Sequence, residues 1–149
     1  TAQRLVVQEL ATARTRTIAR VSLNTDLGRP SIWGSEVVWH ENDGGGHRIL
    51  RHVVGSGRVS VLASSSRRLE LRDPVVGHGR IAWIVADAEV TSIWVRRGVR
   101  GTPRRVATVL GPQLTYTNYM IGQRRLLISR WGLLTGKADI QSVRLPGGL

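Results

Sequence analysis

The sequence has no cysteine, which excludes disulfides, thiolate catalysis and zinc–thiolate sites. It has no phenylalanine, so five tryptophans carry most of the aromatic volume. Lys137 is the only lysine among 22 basic residues. No run approaches the roughly 20 apolar residues of a membrane-spanning helix. Thr1 to Leu10 has no basic segment followed by an apolar block, so no signal peptide is visible. Helical periodicity is also missing: no window sets apolar residues three and four apart along one face.

What is present is a chain of 149 residues with 41% apolar content, enough for one domain with a sizeable core. The net charge is +12. Charge of that size points to acidic partners such as nucleic acid, an anionic polymer or an acidic protein. A coding bias towards arginine is the plainer explanation, and it would scatter the arginines evenly.

An internal repeat organises the chain. Pro30-Ser31-Ile32-Trp33-Gly34-Ser35-Glu36-Val37-Val38-Trp39 aligns with Pro74-Val75-Val76-Gly77-His78-Gly79-Arg80-Ile81-Ala82-Trp83, at an offset of 44 residues. Ile49 falls on Ile93, Arg14 on Arg58 and Leu27 on Leu71 at the same offset. A looser copy runs from Tyr119 to Ile128. Each unit holds four short apolar runs separated by turn residues, the pattern of strands. In the second unit the spacing predicts strand a at Ser31–Trp33, b at Glu36–Glu41, c at His47–Val54 and d at Arg58–Ala63. In the third it predicts Val75–Gly77, Arg80–Val85, Val90–Arg97 and Arg104–Leu110. Asn42 to Gly46 and Gly55-Ser56-Gly57 supply hairpin turns.

Four antiparallel strands every 40–50 residues is the spacing of β-propeller blades. Such blades are covered on both faces, which explains Val37-Val38-Trp39 and Ile81-Ala82-Trp83, where apolar residues do not alternate. Trp39 and Trp83 read as inter-blade packing, with sugar stacking as the alternative. The pattern Pro30, Ile32, Gly34, Val37, Val38, Trp39, Glu41, Ile49 and Gly57 resembles the repeats of TolB-like (WD40-like, PD40) β-propellers. The next unit matches at Pro74, Val76, Ile81, Trp83, Asp87 and Ile93. That resemblance implies a protein- or ligand-binding scaffold, and it implies an extracytoplasmic (periplasmic or secreted) location.

The expected fold is therefore all-β, a propeller arc of four-stranded antiparallel blades. Residues 1–29 give strands c and d of a first blade. Residues 30–73 and 74–118 give whole blades, and residues 119–149 give a, b and c of a last one, with Ala138–Leu145 as c. This makes about thirteen strands, a little over three blades, where a closed ring needs about four to eight. The ring is expected to be completed by another copy, by another protein chain, or by further sequence of a longer polypeptide.

Strand order sorts the charges. The a–b and c–d turns share one end of the blades, and the b–c turns and d–a connections share the other. Arg14, Arg16, Arg58, Arg80, Arg100, Arg104, Arg105, Arg124 and Arg125 fall at the first end. Eight of the ten carboxylates (Asp26, Glu41, Asp43, Glu70, Asp73, Asp87, Glu89 and Asp139) fall at the second, mixed with Arg29, Arg67, Arg68 and Arg72. Even scatter does not produce this. Arginine also suits two-pronged capture of carboxylate or phosphate.

Other chemistry has weaker support. His40 and His47 with Glu41 and Asp43 match no metal-ligand spacing, and Glu41-Asn42-Asp43-Gly44 lacks the alternate oxygens of a calcium loop. Ser64-Ser65-Ser66 has no nucleophile elbow and reads as a d–a loop. His78, in an a–b turn, reads as a surface or core-edge residue and not as a catalyst. No metal and no cofactor is implied. The first reading is a non-catalytic binding or scaffold module that engages a protein partner or anionic polymer through Arg100, Arg104, Arg105, Arg124 and Arg125, with Arg58 and Arg80 beside them. The second is part of a larger propeller enzyme, a hydrolase or lyase, with its chemistry in sequence beyond these residues or on the ligand face around Glu41, Asp43, Asp87 and Glu89. The third is a nucleic-acid-binding propeller, for which Trp94 and Trp131 are the candidate exposed aromatics.

Overall fold

The structure is a computed structural model and describes residues 2–110, 114–132 and 136–145. Fourteen strands are found among them: β1 (Ala2–Gln8), β2 (Thr15–Ser22), β3 (Asp26–Leu27), β4 (Ser31–Trp33), β5 (Glu36–Asn42), β6 (Gly46–Val53), β7 (Val59–Ser66), β8 (Glu70–Gly77), β9 (Arg80–Ala86), β10 (Val90–Arg97), β11 (Arg104–Leu110), β12 (Leu114–Ile121), β13 (Arg125–Gly132) and β14 (Ala138–Arg144). They form four antiparallel sheets in chain order: β1–β2, then β3 and β4 with β5–β6–β7, then β8 to β11, then β12 to β14. The described residues contain no helix, so none is long and apolar enough to cross a membrane.

Each gap between successive sheets is filled by one apolar cluster. Ile18, Val37, Trp39 and Leu50 join the first sheet to the second. Val38, Ile49, Leu62, Leu71, Val76, Ile81 and Trp83 join the second to the third. Ala82, Ile84, Ile93, Val95, Tyr119, Ile121, Leu126 and Ile128 join the third to the fourth. Both faces of the middle sheets are thus covered, as the unbroken apolar runs require. Trp39 and Trp83 are buried in the first two of these layers, so neither offers a ring to a sugar. The Trp39 indole N–H donates to Glu41 at 3.0 Å inside the layer, which gives this buried polar edge its partner.

The repeat reaches deeper than apolar spacing. Register shifts follow Leu5 in β1, Ile49 in β6 and Ile93 in β10. The unpaired residues opposite them are Ile18, Leu62 and Val106, again 44 residues apart. A bulge adds one residue to the d strand and sharpens its twist, and here it turns that residue into the gap between sheets.

Two details differ from the expected strands. The inner strands start earlier: Asp26–Leu27 pairs with β5, and β8 begins at Glu70. Asp26, Glu70, Arg72 and Asp73 therefore lie on strands, not on d–a connections. The cause is proline. Pro30 and Pro74 have no N–H to give the ladder, so the strand breaks between Leu27 and Ser31 in the second sheet and bulges between Arg72 and Val75 in the third. The broken strand accounts for fourteen segments where about thirteen were expected. The second difference is Ser64-Ser65-Ser66, which closes β7 and is not a loop.

Candidate functional site

At the end formed by the a–b and c–d turns, the arginines expected from sequence are on the surface. Arg58, Arg100, Arg104, Arg105, Arg124 and Arg125 are exposed, and Arg80 is half-buried. Among the described residues none of these seven forms an ion pair with a carboxylate; the pairs present involve His40, Arg48, Arg51 and Arg72. Arg125 donates to the Ser142 hydroxyl at 2.9 Å. Glu9 and Glu36 also lie at this end: Glu9 is exposed and accepts from the Thr12 hydroxyl, and Arg51 neutralises Glu36 through its Nε at 2.7 Å and a closer Nη2 contact.

Most of the described carboxylates at the opposite end are engaged by the fold. Asp43 accepts the backbone N–H groups of Gly45 at 2.9 Å and Gly46 at 3.2 Å, and its other oxygen meets Arg48. One repeat later, Asp87 accepts from Glu89 at 2.9 Å and Val90 at 2.7 Å. These are Asx turns that cap the b–c hairpins. The backbone donors hold both carboxyls below the ordinary aspartate value, with Gly45 the largest influence on Asp43 and Glu89 on Asp87. Glu41 is buried between Trp39 and Arg48. Glu89 is exposed and stands apart from any cluster. Among the described residues no three histidine or acidic side chains come together as a metal-ligand set. His40 is 8% exposed; its Nδ1 receives the Asp73 N–H at 3.4 Å, and its Nε2 lies 3.6 Å from Asp26.

A cleft of about 530 Å³ opens along the inner strands of the last three sheets, with Arg29, Ser31, His40, Asp73 and Tyr119 in its wall. Apart from the exposed Arg29, these polar groups are engaged with each other and the backbone. Ser31 accepts the Val76 N–H at 3.2 Å. Asp73, at φ +49, is paired with Arg72 at 2.7 Å. The Tyr119 hydroxyl donates to the Asp73 carbonyl, with the Ala82 carbonyl 3.2 Å away. It thereby caps carbonyls beside the bulge that Pro74 opens. Burial, and then the charge of Asp73, push that hydroxyl well above the ordinary tyrosine value.

Two features escape a sequence reading. Trp33 is 49% exposed and its ring lies 4.4 Å from that of His78 on the next sheet. The clue was available: the matching positions of the later units are Gly77 and Gly122, so a tryptophan there is out of pattern. Arg96 is the other. It is only 8% exposed, donates to the Leu62 carbonyl of the preceding sheet at 2.8 Å and also to the Val99 carbonyl, and burial lowers its pKa. Trp94 is half-buried and bonded to Ser92 at 3.0 Å; the Trp131 side chain lies outside the described residues.

No protein-family model matches the chain, and no curated protein sequence matches it. Solved structures do. The oligogalacturonate lyase of Vibrio parahaemolyticus superposes with a TM-score of 0.64 at 10% identity, over 95% of this chain and 44% of that one. The β-propeller domain of the trilobed protease from Pyrococcus furiosus superposes with a TM-score of 0.57 at 12% identity, over 84% of this chain and 44% of that one. A prolyl endopeptidase gives 0.60 at 12% identity, over 96% and 23%. The chain thus spans less than half the length of each. Sheet order, inter-sheet layers and these superpositions agree on the architecture: the chain has the all-β fold of an arc of a β-propeller, as its TolB-like repeat pattern leads one to expect.

Proposed function

We propose that the chain is a non-catalytic β-propeller module that holds an acidic partner, a protein segment or an anionic polymer, against its arginine-rich end. The observation that carries this reading is an asymmetry in the carboxylates: exposed arginines without an ion-pair partner occur at both ends, but Arg29, Arg67 and Arg68 at the opposite end stand among eight carboxylates and those at this end do not. At that opposite end Asp43, Asp87 and Glu41 are consumed by turns and ion pairs. The guanidiniums of Arg58, Arg100, Arg104, Arg105 and Arg124 at the other are exposed with no carboxylate partner among the described residues. Unmatched charge of one sign attracts the other sign and speeds its arrival. An enzymatic site within these residues has less support, because Asp43 and Asp87, its best candidates here, are hairpin caps. The nucleic-acid reading needs a row of exposed aromatic platforms; among the described residues Trp94 is half-buried and the exposed Trp33 is already packed against His78.

The test compares two triple variants in binding to poly-glutamate, an acidic chain with no tertiary structure of its own. Arg100→Ala/Arg104→Ala/Arg105→Ala should weaken binding by at least about tenfold, since charge-assisted bonds contribute roughly 1.5–3 kcal/mol each when formed. Arg29→Ala/Arg67→Ala/Arg68→Ala, at the opposite end, should leave it within about twofold. Equal losses in the two triples would sink the proposal.

A further inference from the structure

Arg80 opens β9 directly opposite Arg97, which ends β10. Residues so placed share a sheet face, and like charges there repel. Arg104 opens β11 opposite Val95, on the face that Val95 shares with Arg97 two positions on. The layer beneath them, Ala82 and Val95, belongs to the core shared with the fourth sheet. The three arginines therefore share one face of the third sheet, at the rim of its gap with the fourth.

The second sheet shows that the fold does not demand this arrangement. Its matching residues, 44 positions earlier, are Glu36, Val53 and Ser60, and Glu36 is neutralised by Arg51. In the third sheet the acid has become Arg80, and no carboxylate accompanies it among the described residues. Arg97 and Arg104 are exposed. The Nε of Arg80 is buried and has no hydrogen-bond acceptor. A buried donor left unmatched needs an explanation, and a bound ion supplies one. Three cations on one face with an orphaned N–H among them fit a doubly charged group better than a single carboxylate, because guanidiniums grip tetrahedral oxoanions with paired bonds.

We propose that Arg80, Arg97 and Arg104 form a binding site for a phosphate- or sulfate-type oxoanion at the rim of the third sheet. The site rests on the arginine-end reading in taking that face as open to ligands, and it adds a specific group and position. The anion relieves the Arg80–Arg97 repulsion and gives the Arg80 Nε its acceptor. Free inorganic phosphate and a phosphate ester present the same chemistry.

The experiment measures thermal unfolding of the full chain in inorganic phosphate and in chloride at equal ionic strength and pH. A ligand that binds the native state raises Tm saturably. Phosphate also stabilises proteins non-specifically, so the variants decide. The expected result is a saturable rise in the wild type, and in Arg80→Gln and Arg97→Gln an apparent phosphate affinity lower by at least about tenfold. Arg97→Gln should also melt higher than wild type in chloride, since it removes a like-charge pair; a structural arginine would melt lower. Arg67→Gln, at the other end, should respond as wild type. The proposal is overturned if wild type and Arg97→Gln respond alike, or if phosphate and chloride act alike. Phenyl phosphate identifies the source: tighter binding than inorganic phosphate points to an esterified group, and equal or weaker binding to the free ion. If phosphate has no effect while poly-glutamate still binds through Arg100 and Arg105, this site falls and the broader reading stands; if neither binds, both fall.

Discussion

Arg96 shows how a single side chain ties two sheets. It is a buried cation whose bonds run to backbone carbonyls, one of them Leu62 on the neighbouring sheet. Replacement by leucine restores apolar volume but strands those carbonyls, so Arg96→Leu should lower stability by about 1–3 kcal/mol, measured by urea unfolding. Nothing in the sequence marks Arg96 as different from the exposed Arg97 beside it, because its partner lies 34 residues away. Asp43 and Asp87 were more legible, as polar residues in glycine-rich turns, but their role as caps was not. Their folded pKa values are depressed. The stability they contribute is present above the unfolded aspartate value and is lost as pH falls through the folded one. Asn keeps the acceptor oxygen without the charge. The Asp43→Asn/Asp87→Asn variant should therefore lose less stability than wild type between neutral pH and about pH 2.5; an unchanged acid-unfolding profile would contradict this origin.

At the scale of the element, the 44-residue period placed most strands to within a residue or two. Glu36–Asn42 and Arg104–Leu110 match the expected b and d strands closely. The period could not show the bulges at Ile18, Leu62 and Val106, since an extra residue carried by every unit leaves the offset unchanged. Nor could it show that Pro30 breaks a strand where Pro74 only bends one. Strand spacing can also be tested through glycine. A Cβ on Gly77 would lie 2.9 Å from the Ile121 side chain and 3.0 Å from its carbonyl oxygen, because the inner strands of the third and fourth sheets approach closely there. Gly77→Ala should cost about 1–3 kcal/mol by overpacking. Gly34→Ala meets open space but sits at φ +57, so it should cost only about 1 kcal/mol from backbone strain. Equal effects would mean that the close approach is not rigid.

For the whole molecule, four sheets stack through three apolar layers, and each middle sheet depends on both neighbours. Trp83→Ala, in the layer between the second and third sheets, should therefore cost about 3–5 kcal/mol and loosen hydrogen exchange in both sheets together. The charge pattern was legible from strand order alone, as Arg58, Arg100 and Arg104 show. What strand order could not reveal is which charges are already spent, because that depends on turn hydrogen bonds such as those to Asp43 and on cross-strand pairs such as Glu36 with Arg51. Unspent arginines occur at both ends, but those at the a–b and c–d turns, such as Arg58, Arg100 and Arg104, lie away from the eight carboxylates, and they carry the functional account.

The most direct test of that account is the salt dependence of poly-glutamate binding by the wild-type chain. Exposed charges are screened over about 8–10 Å at physiological ionic strength. Binding through the arginine end should therefore weaken by at least about tenfold between roughly 50 and 300 mM salt, as ions are displaced from both partners. Affinity that is flat across that range, or no binding at the lowest salt, would contradict it.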